Sequence, residues 1–192
     1  MPLLLETIKI DKGDIYNLFY HQQRIDKSRC ALLGKIEQLK LSSYIQPPKN
    51  GLYRCRILYD TKIQSIEYIP YKSKPIQRVK IITSTLNYDY KYANRDLLNT
   101  LLPPDDTIDD ILIEKNGYLT DTTIANIALY TGKEWVTPKK PLLEGTMRQK
   151  LLDSHFLTTA NIKKEELQNF SHIALMNAMI GFKIVPSLKI EY

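Results

Sequence analysis

Cysteine is nearly absent from this sequence: 192 residues contain two, Cys30 and Cys55. They lack the close CxxC spacing of a zinc site or a redox pair, so neither a disulfide framework nor a metal is expected. Both read as small buried hydrophobes of a reducing compartment, with the cytoplasm as the expected location. Long apolar runs are missing too. No segment approaches the roughly 18 consecutive apolar residues of a membrane-spanning helix. The opening LLL is cut off by Glu6 and has no basic segment before it, so no secretory signal is expected. There are no internal repeats and no low-complexity tracts.

What is present suits a packed protein of one domain or two small ones, with 43% apolar and 25% charged residues. The net charge is +6, but the lysines are scattered among acids, as in KIDKGD, KSKP and KKEE. No RNP-like aromatic motif, zinc finger or basic helix appears. The charge therefore points to a phosphorylated or carboxylated small ligand, with no nucleic-acid or membrane partner expected.

LLLETIKI alternates from Leu5 through Ile10 and predicts a strand. DKGD predicts a turn, with Gly13 free to take positive φ and Asp14 placed to cap a helix from Ile15 into the thirties. LYRCRILYD and IQSIEYI alternate around a short turn and predict a hairpin. YKSKPI reads as a linker between a small N-terminal domain, 1–73, and a C-terminal domain, 77–192. In the latter, RVKIITS is a strand and YKYANRDLLNTLL leads into a leucine-bearing helix stopped by Pro103. DILIEKNGYLTDT and NIALYTGKEWVTP each read as strand, glycine turn, strand. PLLEGTMRQKLLDSHF is a loop delivering a helix, and SHIALMNAMIGFKIVPSLKI is mostly strand.

Four features could carry chemistry. Lys91 sits between two tyrosines where strand gives way to helix, either as a solvated surface head or as an amine held at a cleft. Gly145, Thr146 and Met147 open a helix whose free N–H groups could hold an anion, although most such glycines only make the turn. Asp121 ends a hairpin strand, where a carboxylate is often a solvated turn residue. His21 and Arg24 share one helix face, as a surface pair would. Together, a nucleophilic lysine, a carboxylate, an arginine and a phosphate cradle are what pyridoxal 5'-phosphate requires.

In their order, these segments resemble the class IV family of pyridoxal-phosphate enzymes, which holds D-amino-acid and branched-chain aminotransferases and aminodeoxychorismate lyase. LLETIKIDKGDIYNLFYHQQRIDKSR resembles the family's opening, and YKYANRDLL its lysine motif. NGYLTDTTIANIALYTGKEWVTPKKPLLEGTMR resembles its long central signature, and ALMNAMIGFKIV its closing stretch. The resemblance implies an α+β, two-domain fold like that of D-amino-acid aminotransferase, with the lysine and the phosphate cradle in the larger domain. It implies that Lys91 bonds the cofactor's aldehyde carbon and later moves the proton. Arg24 would bind the phosphate together with the backbone of Gly145, Thr146 and Met147. Asn177 and Ala178 would lie beside phosphate and substrate, Asn126 would brace the loop, and His21 would pack.

Departures accompany the likeness. Asp121 stands where glutamate is common, Glu144 replaces a proline, Met147 replaces a threonine, and Ala178 removes a hydroxyl. For substrate, Arg95 lies one turn from Lys91, and Arg54 and Arg56 share a strand face, although ordinary salt bridges or an open sheet surface would explain them equally. The compact first domain and the NAM after the last long strand are most like the lyase, which releases pyruvate and 4-aminobenzoate. An aminotransferase, a cofactor-binding protein without turnover and a basic binding module are the alternatives. A homodimer is expected by resemblance.

Overall fold

Strand β1 (Leu4–Asp11) turns the alternation of the opening segment into a buried face. Leu4, Glu6, Ile8 and Ile10 are shielded from water, while Thr7, Lys9 and Asp11 are half-buried on the other side. The computed structural model describes residues 1–34 and 37–192. They cluster into two units: Met1–Ser73 with Tyr90–Asn94, and Lys74–Asp89 with Arg95–Tyr192. Residues Tyr90–Asn94 thus cluster with the first unit, whereas the linker reading grouped them with 77–192.

In the first unit Lys12 and Gly13 both take positive φ (50° and 93°), the conformation of a tight hairpin turn. The turn folds β2 (Asp14–Ile15) back onto β1. Asp14 is therefore a strand residue and caps no helix. Helix α1 (Leu18–Leu33) begins three residues later than the spacing predicts, after Asn17 in the left-handed region. Strands β3 (Leu52–Tyr59) and β4 (Ile63–Pro70) form the expected antiparallel hairpin. The sheet order is β2-β1-β3-β4. Ile25 of α1 packs with Leu4, Ile8, Ile10, Cys55, Ile57 and Tyr59 in this unit's core. Cys55 is buried, and burial pushes its thiol up to about 12. Cys30 is exposed on α1, a correction to its expected burial; Phe19 on the same helix is 64% exposed. The helix covers the sheet with one face only, and both residues lie off it.

The second unit opens with β5 (Arg78–Thr83) and the short α2 (Asp96–Asn99). The leucine spacing predicts a longer helix than these four residues. Leu98 alone of its leucines is buried and Leu97 is 71% exposed, so little apolar burial supports more turns. Then follow β6 (Asp110–Lys115), β7 (Tyr118–Leu119), β8 (Asn126–Tyr130), β9 (Trp135–Pro138) and α3 (Thr146–Asp153). β10 (Leu157–Ala160), β11 (His172–Asn177), β12 (Gly181–Ile184) and β13 (Lys189–Glu191) complete it. Two sheets result, β10-β9-β8-β11-β12 and β13-β5-β6-β7. Val79, Leu112, Leu119, Ile127, Leu129 and Leu175 share their core. The fold is mixed α and β with strands dominating, as the resemblance implies.

Candidate functional site

In the first unit, the chain around Lys91 is fixed by the start of β1. The Leu5 N–H donates to the Lys91 carbonyl at 2.8 Å, and the Ala93 N–H donates to the Leu3 carbonyl at 2.9 Å. Tyr92 forms an antiparallel bridge with Leu4. Lys91 is half-buried and held on a short extension of the sheet. The Tyr90 and Tyr92 rings meet edge to face at 6.2 Å and pack on this unit's core, so packing accounts for both.

Glu6 sits on the covered face of β1 with no exposed surface. A buried carboxylate needs a counter-charge and hydrogen-bond donors, and α1 supplies a cation and a neutral donor one turn apart. Arg24 grips Glu6 with Nε on Oε1 at 2.8 Å and Nη2 on Oε2 at 2.7 Å. The neutral His21 ring donates from Nδ1 to Oε2 at 2.6 Å. Burial raises the Glu6 pKa, but the Arg24 charge and the His21 hydrogen bond outweigh it and hold the carboxyl at about 2. Burial moves His21 the opposite way, below its ordinary value, against the pull of Glu6. Glu6 is thus the carboxylate that orients Arg24, a role the sequence reading gave to no residue. Its signal was there: an acid in register with Leu4, Ile8 and Ile10 on an alternating strand. On the opposite face of the same sheet, Arg56 pairs with Glu67 at 3.2 Å, while the Nε of Arg54 is out of solvent with no acceptor.

In the second unit, Asp121 is 3% exposed and uses both oxygens. Oδ1 accepts from Asn126 Nδ2 at 2.7 Å, and Oδ2 accepts from the Leu143 N–H at 2.8 Å. Burial nonetheless pushes Asp121 up to about 7, more than these bonds and the Arg148 charge pull it down. Asn126 also donates to the Leu143 carbonyl at 2.8 Å, so one amide joins the Asp121 strand end to the loop leading into α3. A Cβ on Gly145 would lie 1.9 Å from Asn126 Oδ1. No larger side chain fits there, which explains the glycine before the helix. Thr146 is buried, Met147 packs against the cluster of Ala128, Leu157, Ala174 and Met176, and Glu144 is exposed. Arg148, also unassigned from sequence, is buried with Nη2 on the Pro138 carbonyl at 2.9 Å.

Asn177 ends β11 and caps the turn behind it. Its Oδ1 accepts from Met179 and Ile180, and its Nδ2 donates to the Ile124 carbonyl at 3.2 Å. Ala178 is half-buried in that turn. Arg95 donates from Nη2 to the Thr123 carbonyl at 2.7 Å. Asp110 Oδ1 holds the same residue, accepting from Thr123 N at 3.1 Å and Oγ1 at 2.7 Å. The Thr122–Ala125 turn between Asp121 and Asn126 is therefore clamped by two charged side chains. Among the described residues, no cluster of three or more His, Cys, Asp or Glu could hold a metal, and no helix is long and apolar enough to cross a membrane.

Comparison with known proteins gives the family. The family model described as amino-transferase class IV matches residues 3–188. An uncharacterized protein of Haemophilus influenzae is 39% identical over 184 residues, 93% of this chain and 98% of that one. The crystal structure of a "putative 4-amino-4-deoxychorismate lyase" from Haemophilus somnus superposes with a TM-score of 0.86 at 35% identity, covering 94% of this chain and 98% of that one. A "putative amino-acid aminotransferase" from Mesorhizobium loti shares the fold, with a TM-score of 0.79 at 17% identity over 98% and 99% of the two chains.

Proposed function

This chain is an enzyme of the amino-transferase class IV family, and on that premise we propose that it is a pyridoxal-phosphate-dependent aminodeoxychorismate lyase. The observation that carries the subtype is the 35% identity, along nearly the whole of both chains, to the structure named as such a lyase.

The residues present suit the cofactor. A carboxyl buried at Asp121 and poised at about 7 is stabilised as a carboxylate when a protonated ring nitrogen sits against it. The N–H groups at the start of α3 (Thr146–Asp153) would hold a phosphate, whose charge the helix N-terminus favours. Arg24, already oriented by Glu6, adds a cation for that phosphate. Lys91 supplies the primary amine, on backbone that β1 holds in place.

When bound, pyridoxal phosphate supplies an electron sink for the carbon that carries the substrate amine. Lys91 would hold the cofactor's aldehyde end through its amine and would serve as the base that takes the proton from the substrate. Asp121 would face the ring nitrogen and keep it protonated. Elimination would break the ring C–O bond β to the deprotonated carbon, so that enolpyruvate leaves with its oxygen and takes a proton to become pyruvate, while the ring becomes aromatic as 4-aminobenzoate. Aromatisation drives that loss, so the lyase demands less of Asp121 than an aminotransferase would. We place the working enzyme as a homodimer.

The test is to offer aminodeoxychorismate to the loaded protein and measure both products. Equal amounts of pyruvate and 4-aminobenzoate, abolished in Lys91→Ala, are expected. Transfer of nitrogen from D-alanine or leucine to a keto acid, with no pyruvate from aminodeoxychorismate, would make it an aminotransferase instead.

A further inference from the structure

The His21 ring has no exposed surface, yet only one of its two nitrogens is matched. Nδ1 lies 2.6 Å from Glu6 Oε2. Among the described residues, Nε2 is out of solvent with no hydrogen-bond partner. His21 and Arg24 stand three residues apart on α1, so both reach Glu6 from one face of the helix. A buried polar atom left unmatched lowers stability and is uncommon in a packed core. A ring that only filled space beside Glu6 would need no second nitrogen.

The charges that act on this ring come from three segments. β1 supplies the Glu6 carboxylate, α1 the Arg24 guanidinium, and the Lys91 segment an ammonium. Tyr59 of β3 adds a hydroxyl near Glu6 and Arg24, and burial holds it well above its ordinary value, so it stays neutral. Two positive charges thus meet one negative charge. Burial first, and then the Arg24 and Lys91 charges, disfavour a third positive charge on His21, against the pull of Glu6. The ring is therefore neutral, with its hydrogen on Nδ1. A phosphate monoester brings nearly two negative charges. Beside Arg24 it would reverse the balance, and one proton on His21 would restore neutrality. That proton goes to Nε2, because Nδ1 already carries one.

We propose that His21 is the charge-compensating residue of the phosphate site: neutral in the empty protein, it takes one proton from solvent onto Nε2 when a phosphate monoester dianion binds at Arg24. The inference rests on the reading that the cofactor phosphate binds at Arg24, and deepens it. His21 is then a positioning residue. It acts through Glu6 and Arg24, and it makes tight binding of the dianion depend on a proton. A histidine that merely packed would hold Glu6 equally well without titrating.

The test titrates the cofactor-free chain calorimetrically with methyl phosphate, which has neither an aldehyde for Lys91 nor a ring nitrogen for Asp121. At about pH 7.5 this ligand is already mostly a dianion. Runs in two buffers of different ionisation enthalpy give the number of protons taken up. Wild type is expected to take up close to one proton per methyl phosphate. Its affinity should fall by up to about 10-fold between about pH 7 and 8, the slope of one linked proton. His21→Asn, whose amide replaces the Nδ1 donor to Glu6 but cannot titrate, should bind with no uptake and a flat pH profile. Asp121→Asn should leave the uptake intact. Nitrogen NMR of the wild-type chain gives the same answer without a variant. Of its three histidines, His155 and His172 are exposed, and the His21 ring should pass from neutral to doubly protonated as methyl phosphate is added. Binding without uptake, uptake that survives His21→Asn, a His21 ring that stays neutral, or no binding by wild type would each overturn the proposal. Adding pyridoxal phosphate to the same samples separates the two readings. If the visible band of lysine-bound pyridoxal forms while His21 stays neutral, the inference fails and the enzyme reading stands. If methyl phosphate binds with His21-dependent uptake but no band forms, the enzyme reading fails and the phosphate site stands.

Discussion

Asn126 donates from Nδ2 to Asp121 Oδ1 at 2.7 Å, while its own Oδ1 occupies the place a Cβ would take on Gly145. One side chain therefore sets both the orientation of the buried carboxyl and the residue allowed before α3. Gly145 has φ −73° and ψ 143°, which any residue adopts, so the obstacle is steric. Gly145→Ala should displace Asn126, lower stability by about 1–3 kcal/mol, and weaken cofactor binding. Adding Asn126→Ala should restore the space but not the Asp121 hydrogen bond. Chemical denaturation and cofactor titration of the three variants check this. Equal stability of Gly145→Ala and wild type would contradict it.

The pH dependence of the cofactor-free protein follows from Asp121. Its carboxyl titrates near 7 in the folded chain, against an ordinary 3.8. Between those values the unfolded chain ionises first. The advantage of the protonated folded form is complete below about pH 4 and lost as the pH rises to about 7. Asp121→Asn cannot ionise, so its melting temperature should gain on wild type across that window and hold a constant lead above it. Loading with pyridoxal phosphate should shrink the gain. Parallel melting curves from pH 4 to 8 would show that Asp121 is not a buried, raised acid.

Much of this was legible in the sequence, for local reasons. The hairpins at Gly117 and Gly132, the glycine before α3 and the alternation of β1 are written in short spacings. Lys91 was picked out by its flanking residues, but its attachment to Leu3 and Leu5 pairs segments more than eighty residues apart, which no local period records. Asp14 misled because a capping residue and a hairpin residue look alike until the positive φ of Lys12 is known. Glu6 and Asp110 were passed over because an acid in a strand reads as exposed unless its buried partners are known. Those partners, Arg24 on α1 and Thr123 beyond β7, are distant in sequence.

Glu6 acts in the acid range, with the opposite sign. Its carboxyl is held at about 2, below an ordinary 4.5, so its stabilisation is present above about pH 4.5 and lost as the pH falls toward 2. Glu6→Ala leaves Arg24 and His21 without their shared acceptor and should cost about 3–5 kcal/mol. Glu6→Gln should cost less. Both should loosen Arg24 and so weaken phosphate-dependent cofactor affinity more than affinity for pyridoxal lacking the phosphate. Equal losses for the two ligands would separate Arg24 from the phosphate.

Arg95 donates to the Thr123 carbonyl, and Asp110 accepts from the Thr123 N–H and hydroxyl. Arg95→Ala removes a hydrogen bond from a charged group, worth about 1.5–3 kcal/mol, and should loosen the turn between Asp121 and Asn126. Hydrogen exchange at Ile124 and Ala125 should then quicken, with substrate KM little changed. A rise in KM with unchanged exchange would instead make Arg95 a substrate contact.

The most direct test of the account is chemical. The loaded protein is reduced with borohydride, digested, and its peptides weighed. The account predicts one pyridoxyl-phosphate adduct, on the peptide containing Lys91, and none after reduction of Lys91→Ala. An adduct spread over surface lysines, or found elsewhere with Lys91 unmodified, would contradict it.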